Sequence, residues 1–198
     1  MQEADKDTPK GFANDKEKRQ GFEQIVRQYS EKLYWTVRRI VINHDDANDV
    51  LQNVFIKVWK SIGDFEQRAS LSTWLYRIAV NESLDFLRRQ KDTASIDESG
   101  AGANIANHLL ADDYFDGDRA QALLQEAIAT LPEVQRVVFT MRYYDEMKYA
   151  DMSRILNTSE GALKASYHIA MKKITAYVQM HEQLSRRKKT EKYTLIIY

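Results

Sequence analysis

Cysteine is absent from the 198 residues, which excludes disulfides, cysteine-ligated zinc and thiol catalysis. Proline (2) and glycine (7) are scarce, so the punctuation of a chain of short strands and tight turns is missing and a helix-rich protein is expected. No uninterrupted apolar run approaches the roughly 20 residues of a membrane span. The N-terminus lacks a charged-then-apolar secretion pattern, and cytoplasmic residence is the expectation. Neither sign of charge is in excess, with 29 Lys+Arg against 29 Asp+Glu, so a basic footprint for nucleic acid has to be local. Catalytic constellations are lacking too. His44, His108, His168 and His181 fall in four segments, and there is no His-Glu-x-x-His and no glycine-rich phosphate loop. His44-Asp45-Asp46 resembles a ligand cluster, but three consecutive residues at a helix start cannot all face one ion, and acids in a first turn suit the helix dipole. No metal, cofactor, small-molecule substrate or enzymatic activity is expected.

What the chain has is helical periodicity interrupted in the middle. Phe22, Ile25, Val26, Tyr29, Leu33, Val37 and Ile40 recur three or four apart, as in a helix with one buried stripe. Val50, Leu51, Val54, Phe55, Val58, Trp59 and Ile62 repeat the pattern, with Asp46, Asp49, Gln52, Asn53, Lys57 and Lys60 on the other side. Gly63 and Asp64 break that helix. The polar loop 65–72 follows, ending in hydroxyls suited to capping the next helix, which carries Trp74, Tyr76, Arg77, Asn81, Asp85, Arg88 and Arg89. From the residues alone this block has two readings: a helical hairpin using its aromatics as core, or a surface whose Trp, Tyr and Arg stack on unpaired bases while cations follow phosphates.

Between Asp92 and Asp118 there are seven carboxylates and no Lys or Arg, in a sequence rich in small residues. This is linker chemistry, long enough to span about 90 Å when extended. Ile105, Leu109, Leu110, Tyr114 and Phe115 are too apolar for a pure spacer and are expected to dock on the second domain or a partner. Helical pattern resumes with Leu123, Leu124, Ala127, Ile128 and Leu131. Pro132 then opens a helix whose buried face is Val134, Val137, Val138 and Met141. The segment 148–156, the turn Asn157-Thr158-Ser159 and the helix 160–178 have the length of a helix-turn-helix, with Ser159 as N-cap and Asn157 suited to the left-handed conformation that ends a helix.

The block 46–89 resembles region 2 of the extracytoplasmic-function (ECF) group of bacterial sigma factors. Its first helix matches at Asp46, Ala47, Asp49, Gln52, Phe55 and Trp59. The second matches at Thr73, Trp74, Leu75, Arg77, Ile78, Ala79, Asn81, Asp85, Arg88 and Arg89. The later part resembles sigma region 4 at Leu131, Pro132, Arg136, Val138, Phe139, Gly161, Leu163, Lys164, His168 and Ala170. It departs where Ala162 stands for the usual Thr, Ala165 for Ser, Ser166 for Arg, and Ile169 and Met171 for later basic residues.

The resemblance implies an all-α protein of two small helical domains: a leader (1–19), a region 2 domain (20–91), a flexible acidic linker (92–118), a region 4 helix-turn-helix domain (119–183) and a basic, apolar tail (184–198). It implies an alternative sigma factor that binds core RNA polymerase and directs promoter recognition, DNA opening and transcription initiation. An anti-sigma factor, commonly membrane-tethered in this family, is implied as a further partner. By the same analogy Asp49, Gln52 and Asn53 face polymerase. Ser70, Ser72, Trp74, Arg77, Asn81, Arg88 and Arg89 hold the −10 strand. Ser159, Glu160, Ala162, Lys164, Ser166, Tyr167, His168 and Lys172 read the −35 element. His168 has either a structural or a phosphate-contact role, and Lys172 and Lys173 suit either phosphates or an ordinary solvated face. The rival reading is a stand-alone helix-turn-helix regulator that binds duplex DNA without polymerase, which would have no use for a clamp-binding helix.

Overall fold

The structure, a computed structural model, describes residues 14–65, 69–93 and 119–194. Residues 1–13 of the expected leader, 66–68 of the polar loop, 94–118 of the linker with its apolar segment, and 195–198 of the tail lie outside the described residues. The regular elements are α1 (Asp15–Val41), α2 (His44–Ser61) running into a 3-10 turn (Ile62–Asp64), α3 (Leu71–Thr93), α4 (Arg119–Ala129), α5 (Glu133–Tyr143), α6 (Tyr149–Leu156) and α7 (Glu160–Thr194). No strand occurs among the described residues, and the all-α expectation holds. Contacts divide the chain into two compact units. One takes in α1, α2, α3 and Thr140–Leu163; the other takes in, among described residues, 119–139 and 164 onward.

In the first unit α1 starts earlier than its apolar stripe. Asn14 accepts a hydrogen bond from the Glu17 amide (2.9 Å) and donates to the Glu17 carboxylate (3.1 Å), a reciprocal cap that lets the polar residues before Phe22 become helical. The stripe buries Ile25, Tyr29, Leu33, Val37 and Ile40. Asn43 caps α2 by accepting from the amides of Asp45 (2.8 Å) and Asp46 (3.1 Å). Asp45 and Asp46 therefore sit in a first helical turn, where carboxylates meet the positive end of the dipole. Ala47, Val50, Val54, Val58 and Ile62 are buried; Trp59 stays at the rim, edge-on to Phe22 at 5.2 Å with the Lys18 ammonium 4.9 Å from its ring. Leu71, Leu75, Ala79, Val80 and Leu87 of α3 complete the core. Lys57 of α2 pairs with the buried Glu82 of α3.

The same unit contains a contact far apart in sequence. Thr36, fully buried on α1, lies 3.0 and 3.1 Å from the two carboxylate oxygens of Asp145 and 3.1 Å from the carbonyl of Lys32. The Arg39 guanidinium sits 4.0 Å from the Tyr144 ring centroid, a cation–π distance, and α6 packs on α3. The hydroxyl of Thr36 has one proton for three acceptors, so its support of the Asp145 carboxylate is divided. Burial outweighs that bond and the charge of Arg39, and pushes the Asp145 carboxyl up to about 6. Burial, with Asp145 beside it, likewise pushes the Tyr76 phenol up to about 12.

The second unit buries Ala122, Ala127, Ile128, Leu131, Val137, Val138 and Phe139 together with Ala170 and Ile174 of α7. Val134, expected on the buried face of α5, is 64% exposed. It stands in the first turn of α5, before that face enters the core. The helix expected to end at 178 continues to Thr194. Residues 179–194 hold no Gly or Pro and are rich in Gln, Glu, Lys and Arg, which propagate helix without needing a buried stripe.

Two stability experiments follow from these packings. Lys57→Met should cost about 1–3 kcal/mol in urea denaturation, since it leaves a buried carboxylate without its cation, whereas Glu82→Gln, which removes the charge, should cost less. Equal losses would show that packing alone joins α2 to α3. For Asp145, a folded-state value above the ordinary 3.8 means that the unfolded chain releases this proton first as pH rises. Its contribution to stability is therefore fully present below about pH 4 and falls by up to ~3 kcal/mol by about pH 6. Asp145→Asn should flatten the profile within that window, read as thermal midpoint against pH relative to wild type, and parallel profiles would contradict the assignment.

Candidate nucleic-acid interface

The first face is the start and solvent side of α3. Ser70 caps the helix: its hydroxyl accepts from the Thr73 amide at 3.1 Å and lies 2.9 and 2.8 Å from the hydroxyls of Ser72 and Thr73. Trp74 is half-buried, its ring 5.1 Å from that of Phe65. One part of the Trp74 ring packs and another meets solvent. Arg77 and Asn81 are exposed and four residues apart, so they share a face with Trp74. Arg88 and Arg89 are exposed about two turns beyond Asn81. Arg88 is paired with Asp85 at 3.0 Å, both well exposed, a pair too solvated to resist exchange for a phosphate. The face thus offers an aromatic edge, an amide and cations in sequence along one helix, the chemistry that stacks and tracks an unpaired strand.

The second face is on α7. Asn157 ends α6 in the left-handed conformation (φ 49°, ψ 45°), and Ser159 caps α7 by accepting from the Ala162 amide at 3.3 Å. Glu160, Lys164, His168 and Lys172 follow at intervals of four and are all exposed, with Ser159 and Ala162 exposed at the helix start. This row suits a helix whose first turns meet a groove and its phosphates. Tyr167 is set apart from it. Its ring stacks on Phe139 (5.8 Å between centroids, 15° between planes), on the side that buries Leu163, Ala170 and Ile174. Ser166 is half-buried. Lys173, unlike Lys172, is engaged, donating to the Gln135 side chain at 3.0 Å.

A third surface lies on α2, where Asp49, Gln52 and Asn53 are exposed together. Sequence reading missed Ile56, which is 45% exposed and stands one turn beyond Gln52 and Asn53. An apolar side chain bordered by uncharged polar ones fits a protein contact better than a nucleic-acid one. Its departure from the buried stripe of α2 is the signal that could have found it.

Because Ser70 is engaged in capping, its substitution acts first through the fold. Ser70→Ala should lower stability by about 1 kcal/mol, while Ser70→Asp, another good cap, should restore most of it. An unchanged thermal midpoint for the alanine variant would mean that the hydroxyl serves only the exposed face.

Comparison with known proteins agrees with this geometry. Sigma-70 region 2 matches residues 25–93, and Sigma-70, region 4 matches residues 121–174. The chain is 32% identical over 155 residues to the ECF RNA polymerase sigma factor SigW of Bacillus subtilis (strain 168), spanning 74% of this chain and 83% of that protein. It is 28% identical over 172 residues to the ECF RNA polymerase sigma-E factor of Escherichia coli (strain K12), spanning 80% and 86%. Among solved structures it is similar in fold to CnrH in complex with the cytosolic domain of CnrY (TM-score 0.61, 21% identity, 82% of this chain and 90% of that one). It is also similar to the sigma factor RpoE in complex with the anti-sigma factor NepR from Bartonella quintana (0.63, 20%, 80% and 96%). With two region matches, relatives above 30% identity and helices that present two differently equipped faces, the chain belongs to the ECF family of RNA polymerase sigma factors.

Proposed function

We propose that this ECF sigma factor works in the cytoplasm as a promoter-directing subunit of core RNA polymerase, dividing its labour between a strand-capturing face on α3 and a groove-reading row on α7. The observation that carries this reading is that the two faces differ in kind. Trp74, Arg77 and Asn81 combine a ring edge, a cation and an amide for bases turned outward. Lys164, His168 and Lys172 form a polar row behind a capped helix start, suited to duplex. Polymerase is engaged through Asp49, Gln52 and Asn53, with Ile56 as the apolar anchor beside them. The chain performs no chemistry itself. By likeness to RpoE held by NepR and CnrH held by CnrY, an anti-sigma factor withholds it from polymerase. The domain limits 20–91 and 119–183 remain the working division for both reading functions.

The experiment compares Asn81→Ala and Lys164→Ala in transcription with core polymerase on duplex templates and on templates melted in advance across the −10 region. Asn81→Ala removes a polar contact with little packing volume and should impair opening on both templates while sparing core binding. Lys164→Ala should weaken upstream duplex contact, reduce the salt slope by about one phosphate's worth, and lose most of its defect on the pre-melted template. Identical behaviour of the two variants on both templates would favour a stand-alone duplex-binding regulator.

A further inference from the structure

The exposed side of α7 carries two strips. Lys164, His168 and Lys172 form the polar one, and one position further round the helix Ala165 and Ile169 form an apolar one, with Ala162 ahead of them. Ala165 lies nearly opposite the buried Leu163 and Ile174, and Ala162 and Ile169 stand about 40–60° from it around the axis. Gly161 precedes the strip. A Cβ there would meet nothing within 4 Å, so the fold itself does not ask for a glycine in a helix that alanine would suit better. The outward face of the first two turns is therefore nearly bare, and it ends in an isoleucine that is 45% exposed.

An exposed isoleucine inside the region 4 match gains by being covered. The strip runs beside the ammonium groups of Lys164 and Lys172, so the fitting cover has phosphates at its rim and apolar groups within. The major groove of duplex DNA is such a surface, and its apolar group is the C5 methyl of thymine. We propose that Ala165 and Ile169 are specificity-determining residues that meet thymine methyls, so that the upstream element chosen by this chain carries thymine, on either strand, beneath both. The inference rests on the groove-reading role of α7 and names what is read. Ala165 and Ile169 are four helical rises apart, about 6 Å, close to two base-pair steps of ~3.4 Å. Over a G·C pair the isoleucine finds no methyl and deprives O6, N7 and N4 of water without offering a partner, a cost borne by the wrong sequence alone. A cation at the same place would favour guanine through O6 and N7. Ile169, where the resemblance anticipates a basic residue, thus changes the preferred base as well as loosening the hold on phosphates.

The test removes the methyl from the DNA. A genomic fragment that the wild-type chain transcribes with core polymerase is made in two forms, with thymine and with deoxyuridine throughout the duplex segment protected upstream of −10, all base pairing being kept. The two forms compete for a limiting amount of polymerase loaded with the full-length chain. Wild type should prefer the thymine form by about fourfold for each methyl contacted. Ile169→Ala should lower that preference by about one such factor with an unchanged thermal midpoint, because the side chain is exposed. Ile169→Arg should lower it equally and steepen the salt dependence of binding. Indifference of the wild type to deoxyuridine, or an Ile169→Ala chain as sensitive as wild type, would overturn the assignment. So would a thermal midpoint several degrees lower for Ile169→Ala, which would make Ile169 a packing residue. A wild-type chain silent with core polymerase on every fragment would instead overturn the promoter-directing reading. The same competition, run on duplex that the chain alone selects, then judges the methyl contact by itself.

Discussion

Packing of α3 against α1 and α2, which buries Leu71, Leu75, Ala79, Val80 and Leu87, is the contact on which the strand-capturing face depends. A helix holds Arg77 and Asn81 exposed on one face only if the opposite side of the same turns is fixed. Each fully buried aliphatic side chain contributes about 1.5–3 kcal/mol toward that. The start of the helix is fixed separately. Ser70 holds the first-turn amide of Thr73, so the residues nearest the loop are ordered by a hydrogen bond and those further on by burial. Lys57 with Glu82 adds a polar tie at mid-helix, one residue from Asn81. The exposed side of α3 is thus positioned by three constraints: burial of its opposite side, the cap at its start and the ion pair at mid-helix.

The groove-reading helix solves the same problem with less burial. Leu163, Ala170 and Ile174 are buried at its turns, and Phe139 stacks on Tyr167 between them. This packing accounts for Tyr167 turning away from the row of Lys164, His168 and Lys172. The row itself carries few cations. Ala165, Ser166, Ile169 and Met171 stand where the family resemblance anticipates Ser, Arg and later basic residues, and the chain as a whole is neutral. Phosphate contacts supply most non-specific affinity for duplex DNA, so affinity in this protein has to come from tethering to polymerase, where a weak second contact becomes intramolecular.

Much of this was legible in the sequence because it is local. The buried stripes of α1 and α2, the caps Ser70 and Ser159 and the left-handed Asn157 each follow from residues within one or two turns of each other. What escaped depends on ends or on long range. Asn14 and Glu17 extend α1 through a segment with no apolar period. Val134 carries the right spacing but stands in a first turn that the core does not reach. Ile56 is exposed because it stands two residues from both Val54 and Val58, on the opposite side of α2 from the buried stripe. The pairing of Thr36 with Asp145 spans 109 positions, and nothing in the local pattern of either residue marks it.

The chemistry of that pairing bears on how readily it lets go. A carboxyl with its proton affinity raised to about 6 is ionised at neutral pH, and holding that charge in a buried place costs up to ~3 kcal/mol at pH 7. That net cost already includes the relief given by the divided hydrogen bond of Thr36 and by the attraction of Arg39, whose own burial lowers its proton affinity. The polar terms are net unfavourable at neutral pH, which leaves the packing of α6 on α3 and the ring of Tyr144 against Arg39 to hold the segment in place. Replacing Asp145 by an uncharged residue of similar shape would remove the charge penalty, and so would stabilise this unit at neutral pH. The buried acid is therefore a point of electrostatic cost in the packing of this segment, and the apolar and ring contacts around it supply the strength.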